Sequence, residues 1–185
     1  MVLAILGIFV SGWVMIIAWI VASVATRSNG LFVQKRIGKN AVPFRLFKIK
    51  TMRNIEGVDT TVTTASDRRI TWSGSFFRRT KIDELPQLFN VLFGSMSFVG
   101  PRPDVQGFAD RLEGDDRIIL SIRPGITGPA SIKYKNEEEV LAAQPNPEQY
   151  NLEVIWPDKV RINKAYIENW SLLGDIKYIA KTIKG

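Results

Sequence analysis

An α+β fold carrying an apolar N-terminal membrane helix is predicted by three features of the 185-residue chain. Its first 26 residues contain no charged side chain. Helical spacing of apolar residues dominates the rest of the chain. Only a few short stretches alternate apolar with polar residues as strands do.

The run from Val2 to Ala25 holds only Ser11, Gly7, Gly12 and Ser23 among otherwise apolar or aromatic residues. At 1.5 Å per residue such a helix reaches about 36 Å, enough for a hydrocarbon core of about 30 Å. A buried core helix is usually shorter and two-faced. A cleaved signal peptide wants basic residues ahead of the apolar run. Behind the run come Arg27, Lys35, Arg36, Lys39, Arg45, Lys48, Lys50 and Arg53, with no acid before Glu56. This flank stays on the cytoplasmic side under the positive-inside rule and favours anionic headgroups. Residues 1–26 are therefore read as a membrane-embedded helix, and 27–185 as one domain of ordinary size.

In that domain, residues 31–36 and 44–50 alternate as two short strands around a Gly38-Lys39-Asn40 turn. Residues 54–75 are Thr-rich and polar, expected as a long loop. Residues 83–93 predict a short helix with Asp83 as its N-cap and Pro86 in its first turn, ended by Gly94. Residues 95–103 read as a strand and then a rigid turn, and 105–121 as an amphipathic helix. Arg123-Pro124-Gly125 and Gly128-Pro129 read as breakers, and 136–143 as helix. The stretch 157–183 predicts two helices, starting near Pro157-Asp158 and near Ser171. The last combines Leu172, Leu173, Ile176 and Ile183 with Lys177, Lys181 and Lys184. It suits either the headgroup plane or packing on the core.

With no Cys and no His, the chain has no imidazole base, no Cys or Ser-His nucleophilic pair, no thiolate zinc site and no disulfide. Carboxylates, Lys, Tyr, hydroxyls and backbone remain. Lys and Arg number 25 against 18 Asp and Glu, for a net charge of +7. Residues 27–81 carry 13 basic and 3 acidic side chains, whereas 82–185 carry 12 and 15. The basic half points to an anionic partner: a membrane surface, a nucleic acid or a phosphorylated substrate.

Asp83-Glu84 is the candidate reactive pair. A carboxylate at a helix N-terminus is stabilised in its charged form by free N–H groups and the dipole. Neighbouring helical residues project about 100° apart, which suits different jobs better than a shared proton. One carboxylate can attack phosphorus while the other holds a divalent metal or handles a proton. Arg78, Arg102 and Arg123 lie beside turns or beside the pair, and Arg102 is stiffened by Pro101 and Pro103. Their guanidinium forks match phosphate oxygens. There is no Walker-type loop and no GxGxxG.

The runs KIDELPQLFNVLFGSMSFVGPRP (81–103) and RPGITG (123–128) resemble the bacterial sugar transferase family, the monotopic polyprenol-phosphate phosphoglycosyl transferases. LFVQKRIG (31–38) and FRLFKIKTMR (44–53) match that family's early motifs. GPASIKYKNEEE and the closing DIKYIAKTI resemble one branch more loosely. The resemblance implies transfer of a phospho-sugar from a nucleoside-diphosphate sugar, usually a UDP-sugar, to a polyprenol phosphate such as undecaprenyl phosphate. It implies an Asp-Glu dyad with Mg²⁺ and a covalent aspartyl intermediate. Carried onto this chain, Asp83 attacks the β-phosphorus and Glu84 binds Mg²⁺. Lys50, Arg78, Arg102 and Arg123 then neutralise phosphate charge. Either Glu84 or the acceptor's own phosphate assists the second step. The place implied is the bacterial inner membrane, with the catalytic domain on the cytoplasmic face. Its lipid is a partner, nucleic acid is not, and a homodimer stays open. Relatives often carry Ser-Pro where this chain has Ser11-Gly12, so a re-entrant or a spanning helix fits. The competing reading is a membrane-tethered basic binding or scaffold protein, for which Asp83 and Glu84 are dispensable.

Overall fold

The computed structural model describes residues 1–55 and 67–184. The apolar run forms one unbroken helix, α1 (Val2–Thr26), about 37 Å long at 1.5 Å per residue. Ser11-Gly12 leaves it intact, because the Ser11 hydroxyl donates to the Gly7 carbonyl at 2.6 Å and so finds its partner inside the helix. Arg27 ends α1 in the left-handed conformation, φ 53°. The Arg53 guanidinium then donates to the Ala25 carbonyl at 2.9 Å, placing a cation on the helix's negative end. By length and composition α1 can cross a membrane. One stripe of it packs on protein, however. Ala4, Met15, Ala18, Ala22 and Ala25 are buried, while Phe9, Trp13, Ile17 and Ile20 are exposed.

Contacts divide the chain into two compact units. The first comprises Met1–Lys35, 45–55 and Asp67–Met96; the second comprises Arg36–Phe44 and 97–184. Strands β1 (Leu31–Ile37) and β2 (Pro43–Ile49) pair in a two-stranded sheet whose tip counts with the second unit. Their connection runs through a 3₁₀ turn at Lys39–Ala41, and a link this short makes the strands antiparallel.

In the first unit α1 packs on α2 (Trp72–Thr80) and α3 (Gln87–Leu92). Ala18, Ala22, Ile49 and Phe77 form the core there. The expected loop over 54–75 is corrected at its end, since α2 begins at Trp72. Ser, Gly and Ser in its first turn are weak helix formers and mask it. The Thr71 side chain nevertheless caps it, accepting from the Gly74 N–H at 2.9 Å. A Cβ at Gly74 would overlap the Thr51 carbonyl oxygen, so only glycine lets α2 lie directly on the chain after β2. Residues 56–66 of the expected loop lie outside the described residues.

In the second unit β3 (Ser97–Val99) and β4 (Gly125–Thr127) pair in parallel, Ser97 opposite Gly125 and Val99 opposite Thr127. The helices α4 (Pro129–Lys133), α5 (Glu137–Ala142), α6 (Pro147–Tyr150), α7 (Trp156–Glu168) and α8 (Leu172–Lys184) come next in the chain. The amphipathic helix expected over 105–121 is replaced by two 3₁₀ segments, Ala109–Arg111 and Gly114–Leu120. Gly107 and Gly114, at φ 101° and 56°, break the α register that the apolar spacing suggested. Both expected breakers also lead into regular structure. Arg123-Pro124 feeds β4, and Pro129 opens α4 at a position needing no N–H. Ile37, Ala109, Ile119, Leu120 and Val160 form this unit's core. Asp158 accepts from Lys133, Tyr134 and Arg161, which hold its carboxyl well below the usual carboxylate range. The α8 helix touches β3, β4 and α4 yet buries no residue fully, leaving Leu172, Leu173 and Ile183 exposed.

Candidate active site

The Asp83-Glu84 pair lies in a 3₁₀ turn, Ile82–Glu84, directly after the left-handed end of α2 at Lys81 (φ 59°). This corrects the capping expectation. Helix α3 starts at Gln87 behind Pro86, with no side-chain cap, so Asp83 stands four residues ahead of it. Proline supplies the reason. Pro86 itself takes the position ahead of α3, in αR geometry with no N–H to give, and the helix begins behind it. The chain instead closes tighter bonds, Glu84 N to Lys81 O at 3.1 Å and Leu85 N to Ile82 O at 3.2 Å.

This turn packs on α2 and α1. Asp83 is 6% exposed. Glu84 pairs with Lys48 of β2, Nζ to Oε1 at 3.1 Å, with both side chains mostly shielded from water. Arg78, in the last turn of α2, reaches Thr51 Oγ1 at 3.5 Å and Met52 Sδ at 3.9 Å. It therefore overlies the lysine-threonine-methionine motif. Lys50 donates to Ser28 Oγ at 2.8 Å, which ties the same motif to the chain leaving α1. The first unit thus carries Lys50, Arg78, Asp83 and Glu84, and adds Lys48.

Asn90 holds α3 in place. Its side-chain amide accepts from the Phe47 N–H at 3.1 Å and donates to the Arg45 carbonyl at 2.7 Å, as a neighbouring strand would. At 2% exposure this is a buried polar anchor on β2.

Arg102 and Arg123 belong to the second unit, exposed on turns whose backbones touch. Gly125 N donates to Pro101 O at 2.8 Å, and Ser97 N to Pro124 O at 2.8 Å. A Cβ at Gly125 would overlap the Gly100 amide nitrogen, which explains the first glycine in RPGITG. Beside Arg102 sits Asp104. Burial pushes its carboxyl up to about 6, against the opposing pull of Lys159, Arg36 and Arg102.

Lys48, Asn90, Arg53 and Asp104 were missed from sequence. Asn90 had a signal, a lone amide in the apolar run LFNVLF. Lys48 had none beyond strand alternation, since its partner lies 36 residues away.

Among the described residues no three carboxylates gather as a metal cage. Mg²⁺ is commonly held by one or two carboxylates together with substrate phosphates. Two adjacent carboxylates in one turn fit that limited donor set.

The bacterial sugar transferase family model matches residues 1–185. The chain is 35% identical over 172 residues to the UDP-glucose:undecaprenyl-phosphate glucose-1-phosphate transferase of Klebsiella pneumoniae, covering 89% of this chain and 34% of that one. It is 34% identical over 158 residues to the UDP-N-acetylgalactosamine-undecaprenyl-phosphate N-acetylgalactosaminephosphotransferase of Aeromonas hydrophila, covering 83% and 34%. It is 32% identical over 165 residues to the exopolysaccharide production protein ExoY of Sinorhizobium fredii, covering 80% and 66%. The chain therefore spans about a third of the length of the first two relatives. With the family model matched from end to end and the Asp-Glu turn, the proline-arginine-proline turn and the RPGITG strand all in place, the chain belongs to the bacterial sugar transferase family.

Proposed function

We propose that this chain is an enzyme transferring a sugar phosphate from a UDP-sugar to a polyprenol phosphate, through a phospho-sugar carried on Asp83. The observation that supports this best is the Asp83-Glu84 turn held against β2 through the Lys48–Glu84 pair, in a family two of whose relatives above are named for a UDP-sugar and undecaprenyl phosphate.

An Asp83 oxygen attacks the sugar-bearing β-phosphorus. The bond from that phosphorus to the oxygen bridging it to the α-phosphorus breaks, and UMP leaves with the bonding pair. An oxygen of the acceptor phosphate then attacks the same phosphorus, and the aspartyl oxygen–phosphorus bond breaks. The carboxylate is restored and a polyprenyl diphosphate sugar is released. Both nucleophiles are anions, so the first step moves no proton. When the acceptor arrives protonated, Glu84 takes its proton. Lys48 holds Glu84 in position, and Arg78 brings a fixed positive charge to the same unit, where it offsets charge on the transferring group. Glu84, together with substrate phosphates, would hold Mg²⁺, which when bound would supply further charge neutralisation. Arg102 and Arg123 bind phosphate in this reading on the strength of their motif positions. Their substitution is expected to raise KM more than it lowers kcat.

Two consecutive displacements at one phosphorus predict ping-pong kinetics. Helix α1 and its basic flank support a position at the cytoplasmic face of the inner membrane, where a polyprenol carries its phosphate. The test is UMP release by the full chain in nanodiscs with UDP-sugars, undecaprenyl phosphate and Mg²⁺. Asp83→Asn is expected to fold and to lose at least 10³-fold in rate, the order associated with loss of an essential catalytic group. Full activity in a folded Asp83→Asn protein would reject the nucleophile. No UMP from any UDP-sugar would favour the binding or scaffold reading.

A further inference from the structure

Resting on that reading, we infer that an apolar groove in the first unit seats the isoprenoid tail of the acceptor. The groove encloses about 530 Å³, within the usual size range of small-molecule sites. Its walls come from Met15 and Trp19 of α1, Phe47 of β2, and Phe89 and Phe93 at α3.

The chemistry of these walls selects hydrocarbon. The two side-chain polar groups at the groove answer each other: the Trp19 indole N–H donates to Asn29 Oδ1 at 3.0 Å. That oxygen also accepts from the Leu31 N–H at 2.9 Å. The remaining lining is apolar or glycine, and Phe93 is 71% exposed. A lining of this kind favours an apolar occupant over a polar one.

Charge and chain connectivity choose which one. Pro86 lines the groove two residues beyond Glu84, a backbone span of at most about 7 Å. Glu84 meets Lys48, whereas Pro86 shares the groove with Phe47, whose side chain leaves the opposite face of β2. The dyad turn therefore straddles the strand. A hydrocarbon tail in the groove brings an attached phosphate, past Pro86, toward the Asp83-Glu84 turn, on which α2 packs with Arg78 in its last turn. An apolar tail ending in a phosphate suits the groove and the proposed transfer together, and a polyprenol phosphate has that form.

Gly12 makes a clean test. It lines the groove, and a Cβ there meets nothing within 4 Å, so a larger residue fills empty space. The substitution also removes a helix-weakening glycine. The experiment uses the full chain in phosphatidylglycerol nanodiscs with farnesyl phosphate bearing a terminal diazirine, and maps photolabelled peptides by mass spectrometry. Labelling is expected on the α1 peptide around Met15 and the α3 peptide around Phe89. Excess undecaprenyl phosphate should compete, further phosphatidylglycerol should not, and Gly12→Leu should cut labelling at least fivefold. Gly12→Leu should also raise the acceptor KM at least fivefold while leaving the first-turnover UMP burst unchanged. Labelling elsewhere, labelling undiminished in Gly12→Leu, or equal competition by phosphatidylglycerol would each overturn the proposal. Groove labelling without UMP release would sink the catalytic reading and leave the groove standing.

Discussion

Asn90 ties α3, which follows the dyad turn, to β2, and its removal has a calculable cost. The amide gives two hydrogen bonds to the edge of β2, at 3.1 and 2.7 Å, in a position 2% exposed. Asn90→Ala leaves the Phe47 N–H and the Arg45 carbonyl without that partner. A polar group left unsatisfied in the interior costs about 1–3 kcal/mol. Arg45 is itself exposed, so water reaches that side more readily, and the expected total is about 3 kcal/mol. For a chain of this size that corresponds to a fall in melting temperature of roughly 6–12 °C. The measurement is thermal unfolding of the full chain in detergent micelles, followed by circular dichroism. Asn90→Leu, which keeps the branched shape but not the hydrogen bonds, should lose about as much as Asn90→Ala. Below the melting temperature both variants should release UMP slowly, because α3 is no longer pinned beside the turn. If Asn90→Leu melts with the unchanged protein, the amide is not an anchor and the predicted cost is refuted.

Two further predictions concern charge. Lys48→Met strips the shielded Glu84 of its lysine partner at 3.1 Å and should cost about 2 kcal/mol, somewhat less than a fully buried pair. Glu84→Gln in the same chain should recover most of it, with a double-mutant coupling of about 1.5 kcal/mol; coupling under about 0.3 kcal/mol would show the pair to be incidental. For Asp104, the folded-state value of about 6 lies above the ordinary 3.8. The folded protein therefore binds an extra proton across that window, and stability falls as pH rises from about 4 to 6. The loss is of order 2–3 kcal/mol. Asp104→Asn should flatten the denaturation midpoint over this range, and an unchanged slope would remove Asp104 as its source.

Most of the linear organisation was legible because it depends on neighbours in sequence. An uncharged run long enough for a bilayer makes α1, and alternation in LFVQKR and FRLFKIK makes β1 and β2. The helices α7 and α8 begin within a residue of where Pro157-Asp158 and Ser171 suggested. Failures occurred where a local rule competed with another. Apolar spacing over 105–121 gave way to two left-handed glycines, and the weak propensity of α2 was overridden by its Thr71 cap and its packing on Thr51.

Which residues could do chemistry was likewise open to a linear reading, because excluding His and Cys leaves carboxylates, and a carboxylate pair beside arginines is visible in the string. How those groups are held was not. The partnership of Lys48 with Glu84 spans 36 residues, and that of Asn90 with the Phe47 N–H spans 43. Nothing in either stretch names the other, since side-chain direction and strand edge exist only once α3 has docked on β2. The apolar groove has the same origin. Met15, Phe47 and Phe89 are ordinary core residues when read singly. They enclose a space only because small residues on one stripe of α1 let it lie close to the rest of the unit, while Gly12 leaves a gap that no side chain fills.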